Sequence, residues 1–327
     1  MQSFIFLLLT VTSAQVMEKR QRPQAIVYRG PAASKGLPES VAYLLQSSPR
    51  NFEVRYAGPN EDLSISAETL RGVSLYAQPG GPDLDEAWDE LEPYATPIRD
   101  FVAGGGRYLG FCLGAYLAGH SPGLNLVPKN TDVGSEIEQN DAQISDDKDS
   151  IIQIDWTYSS GERAGQTINN TWIYFQEGAV MEGFKPDNTT FILGRYSKNG
   201  DVAASVSQYG KGWVGLTGPH PEADQTWFDE YDLNHPDGLR YDIGYDLIET
   251  TMNGGPQKSN TSQTQGASTT QDQPPAQYTS YAKPTPCPSR HIRIASNDVQ
   301  GSFSEQRHSC IGSNTSCAHA LSVSLDQ

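Results

Sequence analysis

Between about Pro23 and Met252, short apolar runs alternate with amphipathic stretches, and this alternation narrows the possible folds more than any other feature. Ala25–Tyr28 (AIVY) is an apolar run that stops at Gly30-Pro31, as a strand buried on both faces does. Leu37, Val41, Leu44 and Leu45 follow at helical spacing, with Pro38 suited to a first helical turn. Phe52–Ala57 and Val73–Ala77 are the next strands, and Pro93–Val102 is a helix ended by Gly104–Gly106. Arg107–Gly110 is a fourth strand, and Leu113–Ala118 opens another helix. This order predicts an α/β fold, a parallel sheet with helices on both faces.

The character changes after Gly123. Ile151–Trp156, Thr171–Phe175, Thr190–Arg195 and Val202–Ser207 are strand-like and separated by Gly, Asn and Ser turns. They are expected to form antiparallel strands flanking the parallel core. Trp213–Leu216 returns to an apolar run and leads into Gly218-Pro219-His220, and Tyr241–Thr250 is expected as a final covering helix.

Both ends of the chain read differently. An apolar run from Phe4 to Val11 closes in Thr12, Ser13 and Ala14, the pattern of a secretory signal peptide over residues 1–14, and it is too short to span a bilayer. From about Asn253 to Gln327 the sequence is rich in Ser, Thr, Gln, Pro and Gly early on and has no clear periodicity later. Such a stretch buries too little apolar area to offset its ordering entropy, so a disordered tail is expected. Sequons at Asn169, Asn188, Asn260 and Asn314 agree with a secreted glycoprotein. The formal net charge of -16 argues against nucleic-acid or membrane partners, since no Lys/Arg run supplies a basic patch. Of the four cysteines only Cys112 lies in the body. Cys310 and Cys317 are spaced to pair, leaving Cys287 over, and spacing alone leaves that connectivity open.

Chemistry concentrates in Gly110-Phe111-Cys112-Leu113-Gly114, between a strand and a helix. This G-x-C-x-G turn is the cysteine counterpart of a nucleophile elbow, in which glycines two residues either side let the backbone pack closely. The positive end of the following helix favours a thiolate, and the Leu113 N–H points where an oxyanion would form. The plainer alternative is a small buried core cysteine. A cysteine nucleophile needs a base and an orienting group. His220, in Gly218-Pro219-His220-Pro221-Glu222, follows a buried strand that delivers it to the edge where the elbow sits, and Glu222 is placed to fix its tautomer. His120 and His235 are expected outside the site. Gly80 and Gly81, in Pro79-Gly80-Gly81 after the third strand, let backbone N–H groups approach a developing oxyanion.

Strand–PGG, G-x-C-x-G and H-P-E, in this order, resemble the class I glutamine amidotransferase superfamily. The closer similarity is to the amidotransferase-like N-terminal domain of fungal and other eukaryotic biotin-protein ligases. It is carried by Val27-Tyr28-Arg29-Gly30-Pro31, by Gln78-Pro79-Gly80-Gly81-Pro82-Asp83 and above all by Gly105 to Tyr116 (GGRYLGFCLGAY). The resemblance spans about Gln24 to Met252 and implies a flavodoxin-like α/β fold with a Cys112–His220–Glu222 triad. Glutaminases of the superfamily carry Gln four residues after the cysteine; here that position is Tyr116, which points away from free glutamine as substrate. No ligase or synthetase domain is recognised in the sequence.

The expected function is therefore a secreted cysteine hydrolase acting on an amide or related acyl bond of a small molecule or peptide, with no cofactor. The alternative is a non-catalytic ligand-binding or regulatory module. Trp156, Trp172, Tyr174 and Phe175 would line its pocket, although core positions suit them better. A metal enzyme is disfavoured because the body has neither H-x-x-x-H nor C-x-x-C.

Overall fold

The computed structural model describes residues 21–257 except Ser121. The expected signal peptide at 1–14, the tail beyond 257, Asn260, Asn314 and the three late cysteines lie outside the described residues. Eleven strands are described: β1 Gln24–Tyr28, β2 Glu53–Ala57, β3 Leu75–Gln78, β4 Arg107–Phe111, β5 Asp132–Ser135, β6 Ser150–Thr157, β7 Thr167–Phe175, β8 Ala179–Glu182, β9 Thr190–Tyr196, β10 Val202–Tyr209 and β11 Gly212–Thr217. The α-helices are α1 Leu37–Ser47, α2 Leu84–Leu91, α3 Ala95–Ala103, α4 Leu113–Tyr116, α5 Gln225–Glu230 and α6 Tyr241–Asn253.

Nine of the strands form one sheet in the order β2-β1-β3-β4-β11-β10-β9-β6-β7. The β2, β1, β3, β4 and β11 strands are parallel, and β10, β9, β6 and β7 continue the sheet in antiparallel pairing. The antiparallel strands thus extend one side of the parallel core, as expected. Alternation along the parallel strands divides the core in two. Ile26, Tyr28, Tyr76 and Tyr108 pack with Ile98 and Val102 of α3 on one face. Ala25, Val27, Leu75, Leu109 and Phe111 pack with Leu44 and Leu45 of α1 and Leu247 and Ile248 of α6 on the other. Trp156 and Phe175 are buried in the second layer, so the core alternative holds for them; Tyr174 is buried in a separate cluster with Ala223 and Phe228, and Trp172 is half-buried.

Three elements depart from the sequence reading. Leu113 opens only a single turn, α4, rather than a helix to Ala118, so little macrodipole is aimed at Cys112. The α2 helix carries no apolar stripe legible in the sequence, because four of its eight residues are acidic and only Ala87 and Leu91 are buried. The small β5–β8 sheet is built from four-residue strands, too short to show a period. Order also runs past the expected boundary, since Gln257 N–H donates to Ser159 O at 2.9 Å.

Asp246 of α6 ties the antiparallel end of the sheet to the helical layer. Its buried carboxylate accepts Trp156 Nε1 at 3.0 Å, Ser159 N at 3.0 Å and Ser160 Oγ at 2.6 Å. Burial raises its pKa, and the three donors oppose that shift. Asp246→Ala leaves buried donors without an acceptor and is expected to lower stability by about 3 kcal/mol, read from the urea midpoint at unchanged m-value.

Candidate functional site

Parallel register assembles the site. Gln78 is level with Gly110, and Phe111 is level with Thr217, so the residues that follow β3, β4 and β11 emerge at one edge of the sheet. The Cys112 N–H donates to Thr217 O at 2.9 Å, one rung beyond the ladder. Cys112 then turns with φ 49° and ψ -110°, a conformation that β-carbon-bearing residues seldom hold. The flanking glycines make the turn possible. A Cβ on Gly110 would lie 2.3 Å from Gly114 O, and one on Gly114 would lie 2.1 Å from Gln78 O. Tyr108 Oη donates to Gly114 O at 2.6 Å and holds the turn from beneath.

Cys112, His220 and Gly80 meet at this edge. A Cβ built on Gly80 would sit 3.3 Å from His220 Cε1 and 3.6 Å from Cys112 Cβ, so the glycine leaves the space between thiol and imidazole open. Gly81 packs against Leu113 and the Ala32–Ala33 backbone. Among the described residues, neither the Gly81 nor the Leu113 amide donates a hydrogen bond. Gln78, buried, accepts from Tyr76 Oη at 2.7 Å and donates to Ala32 O at 2.9 Å, which anchors the neighbouring loop.

His220 is fixed from three sides. Its backbone N–H donates to Tyr174 O at 3.0 Å, its Nδ1 lies 2.9 Å from Glu222 Oε1, and its ring meets Tyr174 and Trp227 at centroid distances of 6.0 and 5.2 Å. Glu222 is fully buried, and its Oε2 has no hydrogen-bond partner among the described residues. Burial alone lowers the His220 pKa, but the Glu222 carboxylate, then Cys112, outweigh it and raise it to about 10. With Nδ1 on Glu222, Nε2 is the nitrogen left for the Cys112 side.

The thiol is nearly closed off. Cys112 is 7% exposed, and Sγ donates to Gln176 O at 3.5 Å. Tyr116 Oη donates to Glu177 O at 3.0 Å, and burial pushes that phenol's pKa up, so it stays a neutral donor. The strap 176–178, with Glu177 at φ 44°, is invisible to sequence motifs, as is the Trp227 wall, whereas Tyr174 is among the aromatics that the sequence marks as pocket-lining or core. His120 and His235 stand apart, hydrogen-bonded to Asn125 and to Gln225. No group of metal-ligating side chains occurs among the described residues.

Residues 24–137 match the family described as biotin-protein ligase, N-terminal. The resemblance read from the sequence holds there, and the matched stretch carries β1 to β5, Gly80, Gly81 and Cys112, but ends before His220 and Glu222. No curated protein matches the chain significantly. Among solved structures it is similar to PurLQS from Thermotoga maritima, at 17% identity, with 71% of this chain and 99% of that one covered and a TM-score of 0.45. It is also similar to a putative ThuA-like protein from Bacteroides uniformis, at 12% identity, 73% and 96% coverage and a TM-score of 0.43. A beta-galactosidase from Bacillus circulans sp. alkalophilus is 13% identical with a TM-score of 0.36, covering 67% of this chain and 32% of that one.

Two outcomes follow from this geometry. Gly114→Ala drives a methyl into Gln78 O and is expected to cost about 3 kcal/mol or prevent folding, seen in thermal melts beside the wild type. The His220 imidazole ¹⁵N signals are expected to stay those of imidazolium through pH 8 and to titrate at lower pH in Glu222→Gln. Because the folded pKa is raised, this pair's contribution to stability is full below the ordinary value of 6.5 and fades as pH climbs towards about 10.

Proposed function

We propose that the chain is a cysteine-nucleophile hydrolase that cleaves an amide or related acyl bond through Cys112, His220 and Glu222. The observation that carries this reading is the meeting of a positive-φ cysteine with an imidazole whose other nitrogen is held by a fully buried carboxylate. With its proton passed to His220 Nε2, Cys112 Sγ attacks the acyl carbon as a thiolate, and the carbonyl oxygen gains the electron pair facing the Gly81 and Leu113 amides. The imidazolium gives its Nε2 proton to the leaving nitrogen as the carbon–nitrogen bond breaks, leaving an acyl-thioester. Water then attacks that ester, His220 takes its proton, and the thiolate leaves. Glu222 holds the ring throughout. Tyr116, committed to Glu177 O in the place of the glutaminase Gln, supports a substrate other than free glutamine, either a small molecule or a peptide.

A second reading, a binding or regulatory module that keeps this geometry without turnover, draws on the 7% exposure of Cys112 and its hydrogen bond to Gln176 O. Export from the cell belongs to the proposal as well. It is supported by the apolar run Phe4–Val11 and by the exposed sequon asparagines Asn169 and Asn188.

The deciding measurement is the pH dependence of iodoacetamide alkylation, mapped to Cys112 by peptide mass, in the wild type and in His220→Ala. For the hydrolase, alkylation persists to about pH 6, far below the free-thiol pKa of about 8.5, and falls at least about tenfold there in the variant. An ordinary thiol profile in both proteins selects the binding module.

A further inference from the structure

Glu222 alone does not fix the plane of the His220 ring. Its Oε1 meets Nδ1 at 2.9 Å, while its Oε2 has no hydrogen-bond partner among the described residues. One hydrogen bond pins a nitrogen, and its directional preference is broad, so the ring can still turn about that contact and carry Nε2 away from the thiol. The bond from His220 N–H to Tyr174 O holds the main chain and leaves the side-chain torsions to packing.

Aromatic rings supply that packing. Tyr174 meets the imidazole at 6.0 Å and 81°, and Trp227, the nearer of the two, at 5.2 Å and 57°. Trp227 is itself braced, since it meets Tyr174 at 5.2 Å and 83°. Tyr174 in turn meets Phe228 at 5.2 Å and donates its hydroxyl to Asp149. The α5 helix carries Trp227 at its third position. Asp224 caps that helix by accepting Thr226 N–H at 2.8 Å, and the buried Phe228 stops it from rolling. Six residues have no helical stability of their own, so these contacts set where the indole lies. Trp227 stays half-buried, whereas the imidazole it touches is sealed, so the indole acts more as a wall than as core.

The titratable groups facing the imidazole are Glu222 on its own loop, Cys112 from the end of β4 and the Tyr174 phenol of β7. Asp149, Glu230 and Tyr231 lie beyond, around the Tyr174 hydroxyl. Trp227 is neutral, so it acts on the imidazole through geometry.

We infer that Trp227 is a positioning residue, whose indole stops the His220 ring from turning about its Glu222 contact and keeps Nε2 directed to Cys112. The inference rests on the hydrolase reading. Base, carboxylate and wall then all come from residues 220–227, beyond residue 137, where the family match ends.

The test is an ¹⁵N NMR titration of the His220 imidazole with and without the thiol. Cys112 raises the proton affinity of a correctly aimed ring, so Cys112→Ala lowers it by an amount that reads the aim. In the otherwise wild-type chain that fall is expected to be at least about tenfold, or about one pH unit. In Trp227→Ala it is expected to shrink below about threefold, and in Trp227→Phe, which keeps a flat ring there, to return above about fivefold. An undiminished fall in Trp227→Ala overturns the inference and leaves the Cys112–His220 pair standing. A Phe variant no better than Ala assigns the loss to disturbed folding and overturns it as well. No fall in the wild-type chain overturns the hydrolase, and the inference with it. Should Trp227→Ala not fold, Trp227→Leu takes its place under the same criteria.

Discussion

The pairing of β4 with β11 is the constraint on which the rest of the site depends. These strands lie far apart in sequence, yet their parallel register sets Phe111 level with Thr217 and lets the next amide, that of Cys112, bond to Thr217 O. Once that rung forms, the chain leaving β4 and the chain leaving β11 start from the same height. A thiol and an imidazole then emerge side by side, with Gly80 from β3 leaving room between them. Non-local pairing of this kind is costly to nucleate, because the long loop must close before its contacts stabilise it. The buried apolar layers on both faces supply that compensation.

Within this frame the electrostatics are set by exclusion of water. His220 and Glu222 are both shielded, so their attraction is unscreened, while each has lost its hydration. Such a pair adds little net stability over an apolar pair of the same shape. Its effect is to define one ring orientation and one free nitrogen, which catalysis and specific binding both require. Glu136 shows the opposite outcome of burial: desolvation, only partly opposed by its hydrogen bond from Asn199, pushes its carboxyl's pKa up to about 7.

The parallel strands and the elbow were legible because their signals are local: apolar runs of four to six residues, glycines at fixed offsets, and a histidine directly after a strand. The reading failed where the determinants are not local. The acidic α2 shows only Ala87 and Leu91 as its buried face, and the β5 and β8 strands become visible only when paired. The strap over Cys112 depends on carbonyls of Gln176 and Glu177, which carry no side-chain signature. The proximity of Gly80 to His220 likewise needed the sheet before it could be seen.

The antiparallel extension has a consequence for how the chain can be divided. A fragment ending at residue 137, where the family match stops, would hold Cys112 but lack His220, Glu222 and the Tyr174 carbonyl that seats the imidazole. It would also strip β11 from β4, turning an interior strand of the sheet into a bare edge with unpaired N–H and C=O groups and apolar Leu109 and Phe111 beside them. Exposed edges of that kind recruit other chains. The segment that carries Cys112 is thus open to self-association when it is alone, and the later strands cover its edge as well as bringing His220 beside it.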